Sequence, residues 1–293
     1  MQSFGACVIS ALLLVHAPGC TDEQTEAPDT RGEPEFRKLS FSIDWSTDWK
    51  CDTIAPTPKY TVTVDNASDI ITYADAGDYL IEVKPGIYYF NQTIVVRSNT
   101  ILTAKDINSQ PIFVWDDDNA LAGSSFLDVK GAKQVEISYI QVDGVNTYTG
   151  SPGGNPAATG IGIDDSSLVL IDHTKVQYIF GSAYRVEGST CIIERRNWAS
   201  EIQYAGSCNP SAGEADGLNI SKSERVWVEG CTSVHVERAG FIATDSSDLA
   251  FLRDSVGDIG GSCTNQGVGL AAKMAASQTS APLNLLISTL TPL

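Results

Sequence analysis

Five stretches between Leu127 and Ile259 can be laid under one another as copies of one short unit, and no other feature of the chain limits its fold as tightly. They open at Leu127, Ile161, Tyr184, Leu218 and Phe241, so successive starts are 34, 23, 34 and 23 residues apart. Two units therefore carry about eleven extra residues, as repeat architectures do when a loop is inserted at one fixed place.

Apolar residues fall in columns across the five units. The opening column is followed two residues later by Val129, Ile163, Val186, Ile220 and Ala243, which is the period of a strand. After a polar turn such as Asp164-Asp165-Ser166-Ser167 come Val135, Val169, Ile192, Val226 and Leu249, then Ile137, Ile171, Glu194, Val228 and Phe251. A third strand passes through Val145, Ile179, Ile202, Val236 and Ile259. A strand this short cannot stand alone, whereas stacked coils pair their backbones about 4.8 Å apart and bury a continuous apolar file. The pattern predicts an all-β solenoid, a single right-handed parallel β-helix with three short strands per coil of about 23 residues. Glu194 is a charge in a core column, so either that coil bulges or the register slips by one residue.

Composition limits the partners. The formal net charge is −17 and the pI near 4.4, which argues against a nucleic-acid partner because neutralising phosphates takes clustered Lys and Arg. No Gly-rich phosphate loop, nucleophile elbow or zinc-type spacing is present in the sequence.

The run Ala11-Leu12-Leu13-Leu14-Val15 followed by Ala17-Pro18-Gly19-Cys20 reads as a lipoprotein-type signal peptide over 1–20, with Cys20 as the lipidated residue, although no Lys or Arg precedes Arg31. Residues 21–50 read as an acidic tether, 51–273 as the β-helix with its N-terminal approach, and 274–293 as an irregular or truncated tail without column fit. The expected setting is a bacterial periplasm, outer membrane or cell surface. The only membrane contact would be the lipid, and the protein would be a monomer. Cys51, Cys191, Cys208, Cys231 and Cys263 remain. Cys208 lies in an inserted loop from which a bridge to the loop of Cys263 is conceivable, while Cys191 and Cys231 read equally well as buried free thiols.

The segment Asp78-Tyr79-Leu80-Ile81-Glu82-Val83-Lys84-Pro85-Gly86-Ile87-Tyr88-Tyr89 is strand, tight turn, strand, and resembles the first coil of bacterial pectate-lyase-like β-helix proteins. Gly217-Leu218-Asn219-Ile220 with Val226-Trp227-Val228-Glu229-Gly230-Cys231 resembles their standard repeat, and the likeness spans about residues 70 to 270. The resemblance implies a polysaccharide held along the outside of the first strand, beside loops. Both insertions, Thr147–Gly160 and Tyr204–Asp216, precede that strand.

The outward positions there are Asp128, Arg185 and Asn219 within the strands, Asp164 and Glu187 after them, and Thr159 and Asp216 before them. On the third strand the outward column is Tyr178, Glu201, His235 and Asp258, with Glu237 and Arg238 following. His235 between carboxylates is a candidate general base. His173 shares a turn column with Arg196 and Arg253 and reads as surface.

Asp216-Gly217-Leu218 resembles the Asp-Gly-Ile that opens a catalytic coil in polygalacturonase-type hydrolases. The match breaks at Arg238-Ala239, where that family has paired Asp, and no Gly-His-Gly or Arg-Ile-Lys follows. Lyases and epimerases of uronic acid polymers instead neutralise the substrate carboxylate and abstract the neighbouring proton. For that chemistry Arg185 or Arg238 would neutralise, Lys222 or His235 would act as base, and Asp164, Glu187 and Asp216 would supply Ca²⁺ ligands. Asp116-Asp117-Asp118 is a further acidic run, more simply a solvated turn. The expected catalytic set is thus Asp216, His235, Glu237, Arg185 and Arg238, and the expected substrate-binding set is Asp128, Thr159, Glu187, Asn219 and Tyr178. A non-catalytic glycan-binding, adhesion or spacer role is the alternative.

Overall fold

The computed structural model describes residues 51–116, 125–144, 158–203 and 215–259, and the strands at 268–274, 285–288 and 291–292. The expected signal peptide, Cys20, the tether, Val145, Asp117, Asp118, Cys208, Cys263 and nearly all of both inserted loops lie outside the described residues.

The chain winds through three parallel sheets. Sheet 1 contains Ser125–Lys130, Ala158–Asp164, the end of Lys175–Glu187, Asp216–Ser221 and the start of Ala239–Leu252. Sheet 2 contains Lys133–Ser138, Ser167–Asp172, Thr190–Arg195, Glu224–Glu229 and the end of Ala239–Leu252. Sheet 3 contains Gln141–Asp143, the start of Lys175–Glu187, Trp198–Gln203, Thr232–Val236 and Ser255–Ile259. The architecture is the expected right-handed parallel β-helix. Leu127, Ile161, Tyr184, Leu218 and Phe241 pair in one file and are at most 3% exposed. Stacking apolar files rung on rung gives one continuous core.

Glu194 does not mark a slip. It pairs with Ile171 and Val228 in the predicted column and is 1% exposed. Burial pushes its carboxyl well above the usual range, opposed by a hydrogen bond from Asn197 Nδ2 to Oε2 at 2.6 Å.

The corners are built from polar ladders. Between sheets 1 and 2, Ser166, Ser189, Ser223 and Ser246 stack, and each Oγ accepts from the backbone N–H one coil back, at Ala132, Ser166, Ser189 and Ser223. The residues beside them, Asp165, Lys222 and Asp245, adopt left-handed φ, as do Gly131 and Gly188 in the same column. A left-handed L-residue costs roughly 1–2 kcal/mol, which the ladder offsets by satisfying buried backbone donors. Sheet 3 has a similar column, since Tyr178, Glu201, His235 and Asp258 all have positive φ. Gly181 joins sheet 3 to sheet 1 without a loop, at φ +144 and with its Cα against the Ala158 carbonyl, where a Cβ would sit 1.9 Å from that oxygen.

At the N-terminal end the first coils are Tyr60–Val64, Tyr79–Val83, Ile87–Phe90 and Ile94–Val95. Helix α1, Ala67–Ala76, starts at Asn66, whose side chain accepts from Asp69 N–H at 2.8 Å, and ends at Gly77 with φ 71. Ile70 and Ala74, one turn apart, are fully buried in the core file, so the helix covers the open end of the coil.

Two expectations are corrected. Cys191 is not a free thiol, because it forms a disulfide with Cys51, while Cys231 is free and buried. Among the described residues after Lys273, two strands do fit the columns: Leu285–Ser288 pairs in register with Leu249–Leu252, and Thr291–Pro292 with Ser255–Val256. The repeat spacing changes there, which is why the pattern is hard to read from sequence.

Candidate functional site

Sheet 1 presents three outward rows. The first is Ser125, Thr159, Ser182, Asp216 and Ala239, the second Asp128, Gly162, Arg185, Asn219 and Ile242, and the third Lys130, Asp164, Glu187, Ser221 and Thr244. Both inserted segments lead in sequence into strands of this sheet.

In the second row Gly162 interrupts the ladder. A Cβ there would lie 2.1 Å from Ser125 Oγ and 3.8 Å from Arg185 Nη2, so the Ser125 hydroxyl takes the space beside Gly162 and no side chain stands between Asp128 and Arg185 in the row. Arg185 Nη2 donates to Asp164 Oδ2 at 2.7 Å. Asp128 Oδ1 and Asp164 Oδ1 are both buried without a hydrogen-bond partner among the described residues. Burial, and then the charge of Asp164, raises the Asp128 carboxyl above its ordinary range, with Lys130 and Arg185 opposing. Two carboxyls and a guanidinium thus form one cluster, with the proton on Asp128 easier to keep than on a solvated Asp.

One strand further on, Asp216 is fully buried. Arg238 donates to it through Nε at 2.6 Å and again through Nη2, and Asn219 Nδ2 donates at 3.1 Å. Thr159 and Asn219, both expected to bind substrate, are also buried, at 3% and 6% exposure. Asp216 and Arg238 form a bidentate pair that pins the corner between sheets 3 and 1. Glu187 is bound to Lys222 at 3.2 Å. The three acids expected to supply Ca²⁺ ligands, Asp164, Glu187 and Asp216, are thus each engaged by a cationic side chain, and no group of three metal-ligating side chains occurs among the described residues.

His235 lies elsewhere, on the outer face of sheet 3. Its Nδ1 is 2.8 Å from Glu201 and its Nε2 3.2 Å from Asp258, with Tyr178 next in the column and 43% exposed. Glu237 follows just past the end of that strand and is partly buried. The structure therefore divides the expected catalytic residues between two faces: Arg185 joins Asp128 and Asp164, Asp216 joins Arg238, and His235 stands apart from both. His173 stacks on Tyr139 at 4.7 Å and hydrogen-bonds Arg196, as a turn surface does. Sequence reasoning missed Gly162, although a glycine in an outward strand column is the signal of a close approach.

No protein-family model matches the chain, and no curated protein sequence matches it. Among solved structures it is similar to an alginate lyase from a Paenibacillus species, with 14% identity, a TM-score of 0.55, and coverage of 73% of this chain and 74% of that one. It is also similar to the catalytic domain of an alpha-1,3-glucanase in complex with tetrasaccharides, with 13% identity, a TM-score of 0.56 and coverage of 81% and 40%. An endo-xylogalacturonan hydrolase from Aspergillus tubingensis has 13% identity, a TM-score of 0.52 and coverage of 79% and 65%. At such identities the likeness is one of fold, and this chain shares with these enzymes the parallel β-helix.

Proposed function

We propose that the protein is exported and acts on a polysaccharide laid along the outer face of sheet 1, with Asp128 as the proton-transfer group. The observation that carries this reading is the cluster around Gly162, where Asp128, a half-buried carboxyl with one oxygen unpartnered among the described residues, shares its outward row with the Arg185 guanidinium. In a lyase-like reaction on a uronic acid polymer, Arg185 neutralises the sugar carboxylate and Asp128 removes the adjacent proton. A raised carboxyl is the better base, because proton affinity and ionisation are then balanced nearer neutral pH. The alginate lyase and the two glycan hydrolases on the same fold support a carbohydrate substrate. The Cys51–Cys191 disulfide supports an oxidising compartment, in keeping with a lipid anchor at Cys20.

Hydrolysis is the second reading, favoured by the pairing of Asp128 with Asp164, since glycoside cleavage uses two carboxyls. A panel of acidic and neutral polysaccharides separates the two by product: ultraviolet-absorbing unsaturated ends for the lyase, reducing ends alone for the hydrolase. Asp128→Asn is expected to lower kcat by about 10²–10⁴-fold with folding intact, and to abolish an acidic limb of kcat/KM that rises with pH as the base ionises. Full activity in Asp128→Asn overturns the site. Binding without turnover in the wild type assigns the face to a glycan-binding or adhesion protein instead.

A further inference from the structure

Residues 51–58 cross sheet 2 where the coils enter it. Cys51 is bonded to Cys191, and the two form a buried cluster with Leu168, on which Ile54 packs. One coil further back, the Gln134 side chain accepts from Ala55 N–H at 2.8 Å and donates to the Thr53 carbonyl at 3.1 Å. Gln134, Leu168 and Cys191 form one column in three successive coils, since the residues on either side of them pair in register. All three have left-handed φ, at 60, 57 and 59, a conformation that a bulky residue such as Leu168 keeps only under outside support. Further along, the column continues with the charged residues Arg225 and Asp248.

These three coils are also the coils of the candidate site. Six residues before Gln134, Leu168 and Cys191 stand Asp128, Gly162 and Arg185, which are neighbours in the second outward row of sheet 1. The corner between the two sheets is tied from coil to coil, because Ser166 Oγ accepts from Ala132 N–H and Ser189 Oγ from Ser166 N–H, each at 3.0 Å. A strap that holds the three coils on sheet 2 therefore sets their spacing on sheet 1, one packed corner away. Its own hold is slight apart from the covalent bond. Asp52, Thr53, Ala55 and Thr57 are exposed, whereas the disulfide joins residues 140 apart in sequence.

We infer that residues 51–58 are a redox-released brace for the sheet 1 site. Oxidised, the Cys51–Cys191 bond fixes the spacing of the coils that carry Asp128, Asp164 and Arg185, and reduction by a dithiol lifts the strap and relaxes that spacing. A thiolate of the dithiol attacks one sulfur of the bond, its second thiol resolves the mixed disulfide, and the dithiol leaves as a cyclic disulfide. Two electrons and two protons have then passed to Cys51 and Cys191, which end as thiols. The regulation rests on the sheet 1 site proposed above, whereas the brace does not.

Hydrogen–deuterium exchange of the full chain, oxidised, reduced with dithiothreitol and reoxidised, tests the brace, with Cys51→Ser/Cys191→Ser separating this bond from the other cysteines. Amides of 132–138 and 167–172 are expected to exchange several-fold faster in the reduced protein and in the double variant. Those of 232–236 are expected to be unchanged, and reoxidation to restore the original rates. Equal exchange in all states overturns the brace, and so does acceleration spread evenly over every coil. Should the double variant fail to fold, the reduced wild type, with its alkylated thiols located by mass spectrometry, decides in its place. Carbon NMR of the Asp128 carboxyl reads the site without substrate, and its titration midpoint is expected to move to lower pH on reduction as water enters the cluster. On a polysaccharide that the oxidised protein turns over, reduction is expected to lower kcat/KM reversibly by at least about tenfold. An unmoved midpoint, or an unchanged kcat/KM beside faster exchange, overturns the regulation. Absence of turnover by the oxidised protein on every polymer counts against the sheet 1 reading alone, and exchange and titration still decide the brace.

Discussion

Single residues in this solenoid are set by the rung on which they stack. Asp254 is 1% exposed, its Oδ1 accepts from Cys231 N–H at 2.7 Å, and its Oδ2 is buried without a partner among the described residues. Burial is the main cause raising its carboxyl from 3.8 to about 7, opposed by backbone hydrogen bonds and by Arg253. As pH rises the unfolded chain loses this proton first. The stability that the group contributes is therefore complete below pH 4, falls between 4 and 7, and stays low above, by up to about 4 kcal/mol. Asn197 occupies the same rung position and accepts from Thr174 N–H through Oδ1, so an amide fits there. Asp254→Asn is expected to raise the melting temperature at pH 8 and to leave it little changed at pH 4.5. Parallel pH curves for the two proteins would show that Asp254 does not titrate across folding.

Elements here are corners as much as strands. In the serine ladder, Ser189 Oγ accepts from Ser166 N–H and donates to the carbonyls of Glu187 at 2.9 Å and Ile163 at 3.2 Å. Removing it leaves a buried donor unpaired, and Ser189→Ala is expected to cost about 1–3 kcal/mol in denaturant unfolding. A surface serine would change stability by only a few tenths, so a near-zero result would mean that water replaces the hydroxyl. Ladder bonding also explains why charged residues such as Asp165 and Lys222 tolerate left-handed φ beside it. A corner held by hydrogen bonds on each side leaves its neighbour no other conformation.

For the whole molecule, the ends of the stack decide whether it stays a single chain. The edges of the first coil that no described strand pairs would template another strand, and helix α1 opposes this by burying Ile70 and Ala74 in the core file. Ile70→Asp places a charge in that file. The expected outcome is a loss of at least about 3 kcal/mol and concentration-dependent association seen by light scattering. A monomeric variant of unchanged stability would show that the helix is dispensable as a cap.

The period of the sequence determined the solenoid, because apolar residues recurring every coil can be buried only by stacking coils. It also placed Leu127, Ile161, Tyr184, Leu218 and Phe241 in one file and Asp128, Arg185 and Asn219 on one face. Helix α1 was legible in principle from Asn66 as a cap and from the Ile70/Ala74 spacing, but a strand-period search passes over it. Only the tertiary structure decided that Cys51 bridges to Cys191, that Asp216 is consumed by Arg238, and that His235 stands on a different sheet from Arg185. Periodicity assigns a residue to a side of its own strand. Which distant side chain meets it, and how much water remains around the pair, depends on the angle between sheets and on what crosses them, and neither is written in the repeat.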